Sequence, residues 1–144
     1  MTSAEDELVI AERVLCGLVN GLSRQIEEHV RVRATKLDLT GPQATALREL
    51  TGPMTMRELA ERMSCEPSNA TFVIDKLEKR GLVERRPHPS DRRAKQLVLT
   101  PEGEVLREQL LKLLTEESPL AGLSRDEQDT LRDLLLRAVP GGSH

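Results

Sequence analysis

The chain has 144 residues, a formal charge of −3, a single Phe and neither Tyr nor Trp. That length fits one domain with one sizeable core, which must be built from Leu, Val, Ile, Met and Ala and is therefore expected to be mainly helical. No run approaches the ~18 apolar residues of a membrane span, acidic residues at 5–7 interrupt any secretory apolar stretch, and two cysteines are too few for a disulfide framework or a four-ligand zinc site, so a soluble cytoplasmic protein is expected.

Residues 5–35 read as one long helix. Leu8, Ala11, Leu15, Leu18, Leu22, Ile26 and Val30 recur in steps of three and four, and Val9, Val14 and Val19 widen the stripe. Such a helix is a rod of about 45 Å, longer than a small domain is wide, so part of its stripe is expected to meet another chain. A second helix opens at Thr40 with the capping-box spacing Thr40/Gln43 and Pro42 in its first turn, and stops at Gly52-Pro53. Thr55/Glu58 repeats the box and opens a third, carrying Leu59, Ala60 and Met63. Pro67 suits the first position of a fourth, over about 67–80, with Glu66 as a mediocre N-cap and Gly81 as a left-handed C-cap.

Two short helices about three residues apart have helix-turn-helix spacing. Leu82 to Arg86 and Ala94 to Leu99 then read as two strands around the turn-rich loop Pro87–Arg93, with Leu97 and Leu99 on one face. Thr100-Pro101 caps a helix over roughly 101–117, and Ser124/Glu127 opens a last one over 124–138. The fold class is therefore mainly α with a small β-hairpin. A hairpin directly after a helix-turn-helix is a wing.

Charge is unevenly placed along this plan. Residues 76–95 hold eight basic and three acidic side chains, a net +5, so the remainder carries −8. A basic island on an acidic body is an electrostatic footprint for a polyanion, and the fourth helix and the wing are the parts that would touch it.

The run PSNATFVIDKLEKRGLVERRPHPSDRRAKQLVLTPEG, with its Asp-x-Arg in the hairpin followed by a strand and L-T-x-x-G, resembles the winged helix-turn-helix core of the MarR family of bacterial transcriptional regulators. The resemblance is strong over about residues 40–105, and the flanking long helices agree in length and placement. It implies a homodimer that binds double-stranded DNA at a pseudo-palindrome, with 5–39 and 101–138 as the helical dimerisation region and 40–100 as the DNA-binding lobe; the tail 139–144, ending Gly-Gly-Ser-His without periodicity, is expected to be disordered. A two-fold dimer sets two recognition helices about one DNA turn apart.

On this reading Ser68, Asn69 and Thr71, in the first turns of the recognition helix, reach base edges or phosphates, and Asn suits adenine. Phe72 either meets a thymine methyl or joins the core. Lys76, Lys79 and Arg80 follow as phosphate binders, with Asp75 buttressing a basic neighbour. Arg93 matches the family's wing-tip arginine, which enters the minor groove, and Asp91 matches the partner that directs it by a charge-assisted hydrogen bond. Arg85, Arg86, Arg92 and Lys95 read as phosphate binders. The resemblance also implies a repressor released by a small organic, often anionic, ligand bound between the dimer helices and the DNA-binding lobe. Arg13, Arg24 and His29, on or near the first helix, are the candidates to pair with its carboxylate, the alternative being that each is simply solvated.

The alternative is a redox-sensing regulator of the same fold acting through Cys16 or Cys65, although a thiol beside Leu15 and Leu18 is more often a small buried hydrophobe. His29, His88, Cys16 and Cys65 lack metal-ligand spacing, and neither a Gly-rich phosphate loop nor a nucleophile elbow is present, so no metal, cofactor or enzymatic activity is expected.

Overall fold

The computed structural model describes residues 3–139. Six helices flank one hairpin: α1 Ser3–Thr35, α2 Gly41–Glu49, α3 Met56–Met63, α4 Pro67–Lys79, β1 Val83–Pro87, β2 Lys95–Leu99, α5 Pro101–Thr115 and α6 Arg125–Ala138. The strands pair antiparallel in the register Val83↔Leu99 to Pro87↔Lys95. Met54, just before α3, joins the far side of β2 by exchanging backbone hydrogen bonds with Leu97 at 3.2 and 2.7 Å. No sequence signal pointed to that bridge.

The caps explain the boundaries. Thr40 and Gln43 form the reciprocal capping box at α2, as Ser124 and Glu127 do at α6. At α3 only half of the expected box is present: Thr55 accepts the Glu58 N–H and no return bond is formed. Glu66 caps nothing with its side chain, and Pro67 alone sets the start of α4. Gly81 takes φ +73°, as a left-handed C-cap requires. The wing strands start one residue later than expected. α5 ends at Thr115 rather than near 117, where Glu116 turns extended. Of the expected disordered tail, Val139 donates its N–H to Leu135, and 140–144 lie outside the described residues.

The core gathers Val30 and Ala34 of α1, Ala44 and Leu47 of α2, Leu59 of α3, Ile74 and Leu77 of α4, Val83 and Leu97 of the wing, and Leu110 of α5. The second half of α1 and the middle of α5 thus share one core with α2, α3, α4 and the hairpin. Basic side chains add polar ties at helix ends, where carbonyls lack intrahelical partners. Arg107 donates to the carbonyls of Leu47 and Arg48 at 2.9 Å each. Arg33 and His29 bond the carbonyls of Leu113 and Leu114 at the end of α5.

Two regions bury nothing in this chain. Every residue of α1 from 3 to 20 is exposed, and α6 has no buried residue. Leu8, Leu15, Leu18, Leu134 and Val139 are all more than half exposed.

Candidate nucleic-acid interface

α4 is amphipathic. Ala70, Val73, Ile74 and Leu77 are buried, so Ser68, Asn69, Phe72, Lys76 and Lys79 fall on the opposite, solvent face. The turn before it contains Ser64 in a left-handed conformation, φ 54°, which lets the chain reverse from α3 into α4. Thr71 is half-buried and its hydroxyl donates to the Pro67 carbonyl at 2.9 Å, so that donor is spent inside the helix. Phe72 is 66 % exposed, which removes it from the core. Its ring carries the Lys76 ammonium at 5.3 Å from the centroid, a cation–π contact on the open face of the helix.

The eight basic side chains of residues 76–95 separate into two groups. Arg80, Arg85 and Arg86 have hydrogen-bond or ion-pair partners within the chain, which their reading as phosphate binders did not foresee. Arg80 donates to the Asp38 carbonyl at 2.7 Å, tying the end of α4 to the α1–α2 loop. Arg85 bridges Asp75 at 2.6 Å and Glu78 at 3.2 Å, so β1 is clamped to α4. Arg86 pairs with Glu84 at 2.9 Å on the outer face of the strand. Lys76, Lys79, Arg92, Arg93 and Lys95 are exposed and pair with no carboxylate among the described residues. Two of the five lie on α4 and three on the hairpin.

The wing tip is built by two side chains. Asp91 accepts the backbone N–H of Arg93 at 3.0 Å. Its role therefore differs from the expected one: it shapes the turn and leaves the Arg93 guanidinium unengaged. His88 accepts the Ser90 N–H on Nδ1 at 3.1 Å, and its own N–H bonds the Ala94 carbonyl across the loop. The tip is thereby held by local bonds while its two arginines point into solvent.

Below the tip, Thr100 donates its hydroxyl to the Gly81 carbonyl at 2.6 Å and accepts the Gly103 N–H. A Cβ on Gly103 would collide with the Leu82 carbonyl oxygen and stand 3.0 Å from its carbon. Thr-x-x-Gly is thus the joint that seats the wing on α5, with Gly at the point of closest backbone approach.

The remaining candidates are not brought to this face. Arg13 and Cys16 lie in the exposed half of α1. Arg24 and His29 line a groove with Arg33 and Glu117, where His29 is already bonded to Leu114. Cys65 is half-buried in the helix-turn-helix turn. Sequence reasoning foresaw a basic neighbour for Asp75 without naming it, and missed Glu78 as the second arm of the Arg85 clamp. It also missed Arg62, which bonds the Thr51 hydroxyl at 2.7 Å and steadies the α2–α3 turn. The i+3 spacing of Asp75 and Glu78 on one helix face was the signal available for the clamp. Among the described residues no helix is long and apolar enough to cross a membrane, and no three His, Cys, Asp or Glu side chains converge as a metal-binding group.

Residues 39–95 match the MarR family profile. The HTH-type transcriptional regulator YkoM of Bacillus subtilis is 32% identical over 126 residues, 84% of this chain and 81% of that protein. The organic hydroperoxide resistance transcriptional regulator of the same organism is 26% identical over 85% of this chain and 83% of its own length. Among solved structures, a mutant MarR of E. coli complexed with operator DNA superposes with a TM-score of 0.70 at 26% identity, covering 96% of this chain and all of that one. With the helix-turn-helix, the wing and the charge distribution all in agreement, the chain belongs to the MarR family of DNA-binding, winged helix-turn-helix transcriptional regulators.

Proposed function

We propose that the protein is a cytoplasmic homodimeric repressor that binds a pseudo-palindromic operator and is released from it by a small ligand. The observation that carries the DNA half is the sorting of the basic island. Three arginines fix the wing and α4 to the body, and five free cations flank the exposed Ser68, Asn69 and Phe72. In this arrangement α4 enters the major groove, Asn69 and Phe72 meet base edges, and the Arg93 guanidinium enters the adjacent minor groove. Lys76, Lys79, Arg92 and Lys95 hold phosphates and set the register. The similar E. coli structure is a complex with operator DNA, which supports DNA binding by this fold.

The dimer rests on the uncovered apolar surface of α1 and α6. Monomers rarely leave so many large apolar side chains in water. Two-fold packing of these helices covers them and sets the two α4 helices one DNA turn apart. Release by a ligand is then a population shift between a spacing that fits successive grooves and one that does not.

Selection of binders from a random-sequence duplex pool tests the proposal. Enrichment of an inverted repeat with half-sites about 10 base pairs apart is expected. A single half-site or no enrichment overturns the operator geometry.

A second reading, oxidation sensing, has its own supporting observation. Cys16 is a free, exposed thiol on α1, one helical turn after Arg13. The similar hydroperoxide-resistance regulator points the same way. If this reading holds, peroxide releases DNA from the wild type and not from Cys16→Ser. If release persists in both Cys16→Ser and Cys65→Ser, it fails.

A further inference from the structure

α1 ends in a Schellman turn. Asp38 takes the left-handed conformation, φ 56°; its N–H bonds the Thr35 carbonyl, and the Leu39 N–H bonds the Ala34 carbonyl. The Asp38 carbonyl accepts instead from Arg80, the C-cap of α4, whose Nη1 donates to it at 2.7 Å. The same nitrogen lies 3.5 Å from Oε1 of Gln43, which already receives the Thr40 N–H in the capping box of α2. One guanidinium thus meets the end of α1, the start of α2 and the end of α4. Apolar packing does not lock α1 and α4 together directly. α1 packs on α2 and α5, and α4 packs on α2, α3 and β1. A cavity of about 550 Å³ opens between the two helices, with Val30 of α1 and Phe72 and Val73 of α4 in its lining. Arg80 therefore supplies a direct bond where packing is indirect, and it stands between the uncovered apolar rod of α1 and the exposed face of α4.

We propose that Arg80 is a positioning residue: it fixes α4 against α1, and through α1 it sets the span between the two recognition helices of the dimer, so that it determines which half-site spacing is bound. The tie stands on the geometry of Arg80, Asp38 and Gln43; its effect on spacing rests on the homodimer and operator proposed above. One added base pair moves a half-site by about 3.4 Å and about a tenth of a turn. Two helices held at one span fit one spacing, whereas loosened helices fit several and are ordered by DNA at the expense of affinity. This role differs from a phosphate contact, which adds charge to every duplex alike.

Two measurements on the full-length protein test this. The first is binding of the wild type and Arg80→Gln, an exposed change that leaves the core intact, to the selected inverted repeat, to the same repeat with one or two base pairs added between the half-sites, and to a single half-site. The wild type should lose at least about tenfold in affinity per added base pair, because the second half-site falls out of reach. Arg80→Gln should lose only about twofold, and it should match the wild type on the single half-site and in salt dependence. An unchanged spacing preference overturns the proposal. So does a uniform loss on all duplexes with the slope of log affinity against log salt reduced by about 0.9, which would make Arg80 a phosphate contact. The second measurement needs no DNA. Nitroxide labels at Ser23→Cys on α1 and Ser68→Cys on α4, in a Cys16→Ser/Cys65→Ser background and diluted with unlabelled chains, report the distance between the helices of one chain by electron–electron resonance. Arg80→Gln should broaden that distance distribution; an unaltered distribution overturns the tie. A wild type indifferent to half-site spacing defeats the paired operator and with it the effect on spacing, and a broadened distribution in Arg80→Gln would then leave the tie standing.

Discussion

The guanidinium of Arg85 lies 2.6 Å from the carboxylate of Asp75, with Glu78 on its other arm at 3.2 Å. β1 and α4 are thereby joined by charge as well as by the chain, so the spacing between the proposed major-groove and minor-groove elements is set before DNA arrives. Groove recognition depends on such preorganisation, because loose elements must be ordered at the expense of affinity.

This relation separates two accounts of the acidic residues on α4. If Asp75 merely repelled phosphate, Asp75→Ala would strengthen DNA binding. The clamp predicts the reverse: a several-fold loss of operator affinity and a loss of about 0.5–1 kcal/mol in stability, the range of a partly exposed ion-pair network. Fluorescence anisotropy with a labelled operator and urea denaturation read the two effects. Tighter binding by Asp75→Ala contradicts the clamp.

Gly103→Ala is expected to be destabilising out of proportion to one methyl group. The added Cβ meets backbone atoms of Leu82, which have no rotamer to escape into. Overpacking of this kind costs about 1–3 kcal/mol, or several degrees in melting temperature for a chain of this size. Thermal denaturation followed by circular dichroism checks it. An unchanged melting temperature would mean that the wing does not close on α5 as described.

The apolar face of α1 predicts a second outcome at the level of assembly. Leu15→Glu/Leu18→Glu places two carboxylates in surface that is 60 % and 66 % exposed in one chain, so the isolated fold tolerates them. Light scattering should report a mass near 16.1 kDa for the variant and twice that for the wild type. Operator affinity should drop by at least about a hundredfold, because two linked half-sites become one. A variant that stays dimeric would place the interface elsewhere.

Phe72 and Lys76 make different predictions although they touch. Phe72→Ala removes no charge, so the slope of log affinity against log salt should stay unchanged while preference for the operator over random duplex drops by about 1 kcal/mol. Lys76→Ala should weaken all duplexes alike and reduce the slope by about 0.9. Binding to operator and random duplex across a salt series distinguishes them. A changed slope in Phe72→Ala would remove it from base recognition.

Most elements were legible in the sequence because their signals are local. Apolar spacing marks α1, Pro67 opens α4 and Gly81 closes it, and Thr40/Gln43 and Ser124/Glu127 mark two further helix starts. The free or engaged state of a cation was not legible. Arg85 and Arg92 look alike in the sequence, yet one is clamped by Asp75 and the other is open to solvent. Tertiary placement decides that difference, as it decides the Met54–Leu97 bridge and the cavity beside Phe72. Asp91 shows the same limit at shorter range: Asp-x-Arg locates the turn, but whether the carboxylate takes the backbone N–H or the guanidinium of Arg93 depends on how tightly the turn closes.

The central claim is that a preformed wing delivers Arg93 to DNA. The most direct test is operator binding by the wild type and Arg93→Ala across a salt series, with Arg86→Ala as a control from the engaged group. The account predicts that Arg93→Ala weakens operator binding by about 1–3 kcal/mol and relaxes sequence preference near the wing, while Arg86→Ala, whose cation is paired with Glu84, changes little. Equal and small losses from both variants would contradict it, because the arginines of the wing would then act only as diffuse charge.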